Sequence, residues 1–257
     1  MSSAIDKAFA VLECFGRHQK PLRLSDVVDD LGLPKQTVHR MIKQLQSLDL
    51  LERDLQPEKF RIGNRLRKLG IAAVVSQNQT AVIRAILDDL VSIFEETVNV
   101  GVLDNGEVLY IDRVECHWPL RVQLNPGSRV KVHCTAIGKL LLAYLPESQF
   151  AATLRYMTLE RYTPNTIVEV DSLEAECRKI RAQGYSENAG EDLRGLVALA
   201  VPVFGEDGQA IAGLAVHAPE ARTNLESMRA KIDLLTDAAY RLGEAFIGGN
   251  DKPEGGL

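Results

Sequence analysis

The chain has 257 residues, of which 46% are hydrophobic, and its formal net charge is −5. This length is enough for two domains, and no segment approaches the roughly 18 uninterrupted apolar residues of a membrane span. The N-terminus has neither a basic start followed by an apolar run nor a cleavage pattern. We therefore expect a soluble, cytoplasmic protein with no membrane partner.

The charge is distributed unevenly along the chain. Residues 1–80 hold 13 Lys and Arg against 9 Asp and Glu, and the remainder holds 17 against 26. A local positive field attracts nucleic acid even where the whole chain is acidic. The asymmetry predicts that double-stranded DNA binds the first part of the chain only.

The first 50 residues predict three short helices. The earliest runs from Ala4 to Phe15, and in the next segment Ser25 is a candidate N-cap. Gly32 can end that second helix in a left-handed conformation, and Pro34 suits the first turn of the third. One side of the earliest helix would be apolar and would close a small core, with Ile5, Ala8, Phe9, Leu12 and Phe15 on one stripe.

The third helix has the two faces that a DNA-recognition helix needs. Its apolar residues recur at helical spacing, at Val38, Met41, Ile42, Leu45 and Leu48, and no acidic residue interrupts the other face. Donors for bases and phosphates are what a major groove requires. The alternative is a solvated amphipathic helix. The candidate DNA contacts are Ser25, Lys35, Gln36, Thr37, His39, Arg40 and Lys43, with Arg53, Lys59 and Arg61 on the next segment.

That next segment, LLERDLQPEKFRIG, alternates apolar and charged residues around Gln56 and Pro57, which predicts a hairpin or wing. Residues 1–63 are therefore predicted to form a winged helix-turn-helix domain. Residues 64–79 keep a helical pattern without proline and predict a linker helix.

Beyond the linker the spacing of apolar residues changes from one that is helical throughout to a mixture of helical and strand-like segments. Residues 80–248 therefore predict an α+β domain with an antiparallel sheet. An Asn105-Gly106 turn joins two β-rich runs, which is a strong hairpin signal. Further strands are expected at 120–124, 129–132, 196–204 and 210–217, and helices at 82–96, 135–144, 149–156, 172–183 and 225–246. The Gly-rich, charged residues 249–257 predict a disordered tail.

Cysteine spacing and known motifs argue against several kinds of chemistry. Cys14, Cys116, Cys134 and Cys177 show no CxxC spacing, so we expect reduced, mostly buried thiols and no metal site. There is no G-x-S-x-G elbow, phosphate loop, GxGxxG or HExxH. Cys134 with His133 or Glu191 is the one arrangement that could suggest a nucleophile and base. We expect no enzyme, no catalytic residue and no cofactor.

Four segments together resemble the IclR-type transcriptional regulators over nearly the whole chain. They are AIDKAFAVLECF, LGLPKQTVHRMIKQL, HCTAIGKLLLAYLP and QGYSENAGEDLRGLVALAVPVFGEDGQAIAGLAVHAP. The resemblance implies a GAF-like effector-binding domain, homodimers or homotetramers, and a small organic acid effector that controls a catabolic operon, with repression favoured over activation. RNA polymerase is a further candidate partner. The alternatives are a second domain that only oligomerises or, less favoured, a Cys-dependent enzyme.

The resemblance also implies positions for the effector pocket. The unpaired N–H groups at a helix start favour anions, and a helix start is expected at Thr135. Many relatives carry an acidic run before the last strands and a Ser-x-Ser pair in the last strand, where this chain has Asn188-Ala189-Gly190-Glu191 and Ala215-Val216-His217. We expect His217 to supply a ring for an acid with an aromatic or sizeable apolar part. The candidate effector residues are Thr135, Ala136, Ile137, Gly138, Asn188, Ala189, Glu191, Ala198, Ala215 and His217.

Overall fold

The computed structural model describes residues 3–18, 20–54, 56, 58–76, 81–122 and 124–248. The chain divides into two compact units, Met1–Ser76 and Gln77–Leu257. Within the described residues, none of the helices combines the length and the apolar character needed to span a bilayer. The end of the predicted linker helix, residues 77–79, and the predicted tail, residues 249–257, lie outside the described residues.

The first unit is a winged helix-turn-helix, as the sequence predicts. Strand β3 pairs with both β1 and β2 in an antiparallel sheet, and β2 and β3 form the wing. Pro57, at the predicted turn of the wing, lies outside the described residues. The elements are α1 (Ala4–His18), β1 (Leu22–Arg23), α2 (Leu24–Leu31), α3 (Lys35–Ser47), β2 (Leu51–Arg53), β3 (Lys59–Ile62) and α4 (Asn64–Ser76).

The caps of α2 and α3 differ in part from the prediction. Ser25 is not the N-cap of α2; Arg23 holds that position, and its backbone N–H donates to Asp26 Oδ2 at 2.8 Å. Gly32 ends α2 in the left-handed conformation, with φ at 61°, as predicted. Pro34 is the N-cap of α3 and so precedes its first turn.

The apolar stripe predicted for α1 is wrong at two positions. Ile5 is 68% exposed and Phe9 is 60% exposed, whereas Val11, Cys14 and Phe15 are buried. Leu48, predicted on the apolar face of α3, follows the end of that helix and is exposed. The core of this unit lies between the helices and the small sheet. It consists of Val11, Cys14, Phe15, Leu22, Val27, Val38, Met41, Ile42, Leu45 and Leu51.

The second unit is built on a six-stranded sheet in the order β6-β5-β4-β9-β8-β7, in which all neighbours are antiparallel. This is the expected α+β architecture. Asn105 and Gly106, both with positive φ, make the predicted hairpin turn. The elements are α5 (Ala81–Phe94), β4 (Thr97–Asp104), β5 (Glu107–Val114), β6 (Arg129–Lys131), α6 (Ala136–Ala143), α7 (Glu147–Tyr156), α8 (Val170–Gln183), β7 (Ser186–Ala189), β8 (Leu196–Phe204), β9 (Ala210–Pro219), α9 (Leu225–Arg229) and α10 (Ile232–Gly248).

The prediction for this unit needs correction in three places. The described residues of 120–124 are loop and not strand, so β6 alone extends the sheet beyond β5. An additional edge strand, β7, was not predicted, and it includes the candidate effector residues Asn188 and Ala189. The long C-terminal helix is broken into α9 and α10, which are separated at Ala230 and Lys231.

Both faces of the sheet are covered by helices. Helices α5 and α10 bury one face in a core that includes Leu87, Val98, Leu214 and Leu235. Helices α6, α7 and α8 cover the other face in a core that includes Ile137, Leu140, Ala198 and Ala215. Any polar side chain between the sheet and α6 is therefore shielded from water and must find partners inside the protein.

Two adjacent leucines on α10 test this arrangement. Leu235 is fully buried and Leu234 is 48% exposed. We expect Leu235→Ala to lower the free energy of unfolding by about 2–5 kcal/mol, because it removes buried methyl groups and leaves a cavity. Leu234→Ala is the matched control and should cost less than about 1 kcal/mol. Urea unfolding followed by circular dichroism measures both, and equal losses would contradict the placement of α10.

Candidate functional site

Helix α3 presents a polar face to solvent. Its apolar residues Val38, Met41, Ile42 and Leu45 are buried in the first unit. On the opposite face Thr37 is half-buried, and the exposed polar residues are Lys35, Gln36, His39, Arg40, Lys43 and Gln44. Apart from Leu48, which follows the helix and is exposed, the sequence predicted both faces of this helix correctly.

The cations of this face keep their charge available. Lys35, Arg40 and Lys43 form no ion pair with any residue that the structure describes. The first turn of the helix holds no acidic residue. A surface with unpaired cations and amide donors is suited to phosphates and to the edges of bases.

The cations on the wing are less available. Arg61 Nε lies 2.7 Å from Glu52 Oε1, and its Nη1 lies 4.0 Å from Asp54 Oδ1. The Arg53 guanidinium lies 5.9 Å from the centre of the Phe60 ring. Lys59 is half-buried, and Ser25 is exposed on α2. Of the predicted contacts, those on α3 are therefore the least committed to partners within the protein.

The predicted effector residues on the strands lie together on the face of the sheet that α6 covers. Residues paired across neighbouring strands share a face. One row across β7, β8, β9 and β4 consists of Asn188, Ala198, His217 and Thr97. The next row consists of Ser186, Ala200, Ala215, Asn99 and, on β5, Arg113.

The residues at the start of α6 have packing and capping contacts. Thr135 is the N-cap: its Oγ1 accepts the Gly138 N–H at 3.2 Å and donates to the Lys131 carbonyl at 2.6 Å. A Cβ at Gly138 would lie 2.2 Å from the Val132 carbonyl oxygen, so the backbone approach requires glycine. Ala136 and Ile137 are buried, and the Ile137 side chain packs over two strand glycines, Gly101 and Gly213.

The segment from Asn188 to Glu191 is held by its own hydrogen bonds. Asn188 Oδ1 accepts the Glu191 N–H at 2.8 Å, and Asn188 Nδ2 donates to Asp192 Oδ1 at 2.6 Å. Thr163 and Thr166 donate to the backbone carbonyls of Gly190 and Glu191, and the Asn165 amide donates to the Ala189 carbonyl at 2.8 Å. The amide of Asn188 is thus occupied by its own turn.

A buried ion pair ties this segment to α6. Lys139 is 1% exposed, and its Nζ lies 2.5 Å from Glu191 Oε1 and 3.8 Å from Glu176 Oε1. Burial raises the pKa of the Glu191 carboxyl, and the charge of Lys139 opposes that rise. Neither residue of such a pair can lose its partner without leaving an uncompensated charge in a dry environment.

Sequence reasoning missed a polar cluster formed by Asn99, Arg113 and His217. Asn99 Oδ1 accepts from Arg113 Nη1 at 2.7 Å, and Asn99 Nδ2 lies 2.7 Å from His217 Nδ1. Arg113 Nη2 donates to the Val122 carbonyl and lies 3.5 Å from His217 Nε2. All three side chains are buried. Asn99 and His217 are more than a hundred residues apart in the chain, so only the strand register could have revealed the cluster.

Burial and charge set the protonation of this cluster. Burial, helped by the charge of Arg113, lowers the pKa of His217 to about 3, so the imidazole is neutral near pH 7. Arg113 stays charged because arginine does not deprotonate in proteins, and its nearest carboxylate oxygen is Glu115 Oε1, 3.6 Å from Nε. The other oxygen of the same carboxylate, Glu115 Oε2, accepts from Arg121 Nε at 2.7 Å.

The cysteines have no features of a nucleophile. All four are buried and free. Burial raises the pKa of the Cys134 thiol to about 12, the opposite of what a reactive thiolate needs. His133 Nε2 is bonded to the Glu160 backbone carbonyl at 2.8 Å. The Cys134 arrangement imagined from sequence therefore lacks an activated thiol.

Among the described residues, three side chains of types that can bind a metal ion lie together between α1 and α2. The ligand atoms of Cys14, His18 and Asp30 lie within 4.8 Å of one another. Asp30 is already bonded to Arg17 Nη2 at 2.6 Å and to His18 Nε2 at 3.2 Å. A hydrogen-bonded network accounts for this grouping.

Comparisons with known proteins agree on one family. The model of the IclR helix-turn-helix domain matches residues 4–55, and the model of the bacterial transcriptional regulator IclR C-terminal domain matches residues 71–243. A protein named "Probable transcriptional regulator SauR" from Cupriavidus necator is 38% identical, over 95% of this chain and 97% of its own length. The transcriptional repressor AllR of Salmonella typhi is 27% identical, over 95% of this chain and 90% of its own.

A solved structure is similar over both units. It is an IclR homologue from Microbacterium hydrocarbonoxydans in complex with 4-hydroxybenzoate, and it is 25% identical with a TM-score of 0.59. The match covers 94% of this chain and 98% of the solved one. The similarity therefore includes the α3 unit and the six-stranded sheet.

The buried ion pair generates a prediction. Lys139→Met should lower the free energy of unfolding by about 3–5 kcal/mol, because Glu191 loses its partner while it stays buried. The loss should be smaller at pH 5 than at pH 8, since protonation of Glu191 removes the uncompensated charge. Denaturant unfolding at the two pH values measures this.

Lys179→Met is the matched control. Lys179 is 60% exposed and its Nζ lies 3.7 Å from Glu176 Oε2. Exposed pairs contribute about 0–1 kcal/mol, so this variant should stay close to wild type at both pH values. A Lys139→Met protein as stable as the control would show that the buried pair does not hold the Asn188–Glu191 segment.

Proposed function

Because the chain belongs to the IclR family of bacterial transcriptional regulators, we propose that it binds a pseudo-palindromic operator as a homodimer or homotetramer and that a small organic acid controls this binding. The observation that carries the proposal is the exposed face of α3, on which unpaired cations and amide donors lie opposite a buried apolar face. The protein is a DNA-binding regulator and not an enzyme.

We assign the contacts with DNA by position on the first unit. Lys35, Gln36, Thr37 and Arg40, in the N-terminal half of α3, face the base edges or the nearest phosphates. Lys43 and the wing position the DNA backbone. Because Arg61 is paired with Glu52, its contribution to binding is smaller than that of the cations on α3. Ser25 and His39 lie at the margin of this surface.

The second unit binds the effector between α6 and the sheet in this proposal. The rows that hold Asn188, Ala198, Ala215 and His217 are the floor of the site, and the start of α6 is its wall. The relative from Microbacterium hydrocarbonoxydans binds 4-hydroxybenzoate, an aromatic acid. This supports an organic acid as the effector class. Catabolism of such an acid is the setting we propose, in the cytoplasm, with or without direct contact with RNA polymerase.

The sign of regulation that we propose is repression. The relative AllR is named a repressor. A repressor of a catabolic operon must leave its operator when the substrate of that operon is present. This requires a ligand that binds the two conformations of the protein with different affinities.

The DNA assignment predicts a large effect at Arg40. With an operator selected from a random DNA pool, Arg40→Ala should weaken binding about 10- to 100-fold, because each base or close phosphate contact contributes roughly 1–3 kcal/mol. Arg178→Ala is the control: Arg178 lies on α8 and is bonded to Glu174 there, so operator affinity should not change. Fluorescence anisotropy measures both, and equal losses would refute the assignment.

The effector assignment predicts a thermal response. Titration of the full chain with 4-hydroxybenzoate, benzoate and a panel of aliphatic acids should give a saturable rise in melting temperature for at least one compound, since binding to the native state stabilises it. The same compound should weaken operator binding. A panel that leaves both measurements unchanged would favour the alternative in which the second unit only oligomerises.

A further inference from the structure

The three buried side chains of Asn99, Arg113 and His217 place two hydrogen-bond donors next to each other. We propose that Arg113 Nη2 and His217 Nε2 are paired donors that together bind one carboxylate oxygen of the effector. The inference deepens the proposed function and rests on it, because it names the group that the pocket recognises and the two atoms that recognise it.

The hydrogen bonds of Asn99 determine which way its amide faces. Arg113 Nη1 is a donor, so the atom of Asn99 that lies 2.7 Å from it must be the oxygen Oδ1. The amide nitrogen Nδ2 therefore faces His217 Nδ1 at 2.7 Å and donates to it. The reversed amide would set two donors 2.7 Å apart at Arg113, and the structure avoids this.

The tautomer of His217 follows from the same bond. Since Nδ1 accepts from Asn99, the proton of the neutral ring is on Nε2. Arg113 Nη2, which carries only donors, lies 3.5 Å from that nitrogen. Two N–H groups thus meet, and none of the described residues places an acceptor between them. Burial raises the cost of this arrangement, because an N–H group that lacks an acceptor in a dry site has lost its hydration.

An anionic oxygen satisfies both groups. It accepts from Nη2 and from Nε2–H, and it compensates the charge of a guanidinium that is 5% exposed and whose Nε has no hydrogen-bond partner among the described residues. The existing compensation is weak, since Glu115 lies 3.6 Å away, is half-buried, and is shared with Arg121. Charge-assisted bonds of this kind are stronger than neutral ones.

The donors that converge beside His217 match one oxygen of an anionic group. Asn99 Oδ1 accepts from Nη1 and the Val122 carbonyl accepts from Nη2, so the second N–H of Nη2 stays available next to His217 Nε2–H. Two donors and one positive charge meet there, which suit a carboxylate oxygen. Along the same two rows, β8 and β9 carry the small side chains Ala198, Ala200 and Ala215.

Pairs of ligands that differ only in the charge of one group test whether the site recognises a carboxylate. The probes are formate, acetate and 4-hydroxybenzoate, each compared with its carboxamide, in calorimetric and thermal-shift titrations of the full chain. We expect at least one of the acids to bind about 10- to 100-fold more tightly than its amide, as the loss of a charged hydrogen bond implies. Arg113→Gln should remove this preference, and Arg113→Lys should restore part of it.

Arg121→Gln is the matched control. Arg121 lies eight residues further along the chain and is bonded to Glu115 and to the Trp118 carbonyl, outside the donor pair. Its removal should leave the preference for acids intact. An equal loss in the Arg121→Gln and Arg113→Gln proteins would overturn the inference.

A measurement on the wild-type protein does not depend on whether the variants fold. Histidine side-chain ¹⁵N NMR should show His217 as the neutral Nε2–H tautomer, and formate or 4-hydroxybenzoate should shift its Nε2 signal. A proton on Nδ1, or acids and amides that bind equally or not at all, would overturn the inference. Operator binding that still responds to a neutral compound would then leave effector control of DNA binding standing, but with an effector that is not an acid.

Discussion

The central sheet of the second unit is covered on both faces, and this constraint determines how every polar side chain under α6 behaves. Burial removes these groups from bulk water, so each needs a hydrogen-bond partner inside the unit. Lys139 and Glu191 meet the requirement as an ion pair. Asn188 meets it inside its own turn. Arg113 and His217 meet it only in part, because two of their donors face each other. In our proposal the Lys139–Glu191 pair is therefore structural, whereas Arg113 and His217 bind a ligand.

The first unit solves the opposite problem. Helix α3 must keep its cations in water, and it does so because Val38, Met41, Ile42 and Leu45 anchor the other face in the core. The wing keeps fewer of its charges available, since Glu52 lies next to Arg61. A local positive surface on an acidic chain follows from this placement and not from composition.

The sequence predicted the elements that a local pattern determines. The Asn105-Gly106 hairpin, the end of α2 at Gly32 and the two faces of α3 all follow from residues that are close in the chain. Strand β7 was missed because Ser186–Ala189 is a short, polar edge strand without alternating hydrophobicity. Ile5 and Phe9 were assigned to the core because periodicity defines a stripe, whereas the packing partners decide which part of it is buried.

The cluster at Arg113 could not be predicted, because it depends on register. Asn99 pairs with Arg113 on one side and with Ala215 on the other, and His217 is two residues beyond Ala215 on the same face. An alternating strand that contains one arginine normally indicates an exposed position. Here a loop returns over the strand, and the Val122 carbonyl accepts from Arg113.

In our proposal the Arg113 guanidinium contacts both the ligand and the Val122 carbonyl, and this bears on how a ligand controls operator binding. A ligand shifts a conformational equilibrium only through contacts that differ between the two states. Arg113 Nη2 already holds the Val122 carbonyl, and Arg222 Nη1 holds the neighbouring Leu120 carbonyl at 2.6 Å. Nη2 carries two N–H groups, so a carboxylate oxygen accepts the one that the Val122 carbonyl leaves free. In our proposal one guanidinium then contacts both the ligand and the segment around Val122, whereas a ligand held only by apolar packing has no such link to that segment.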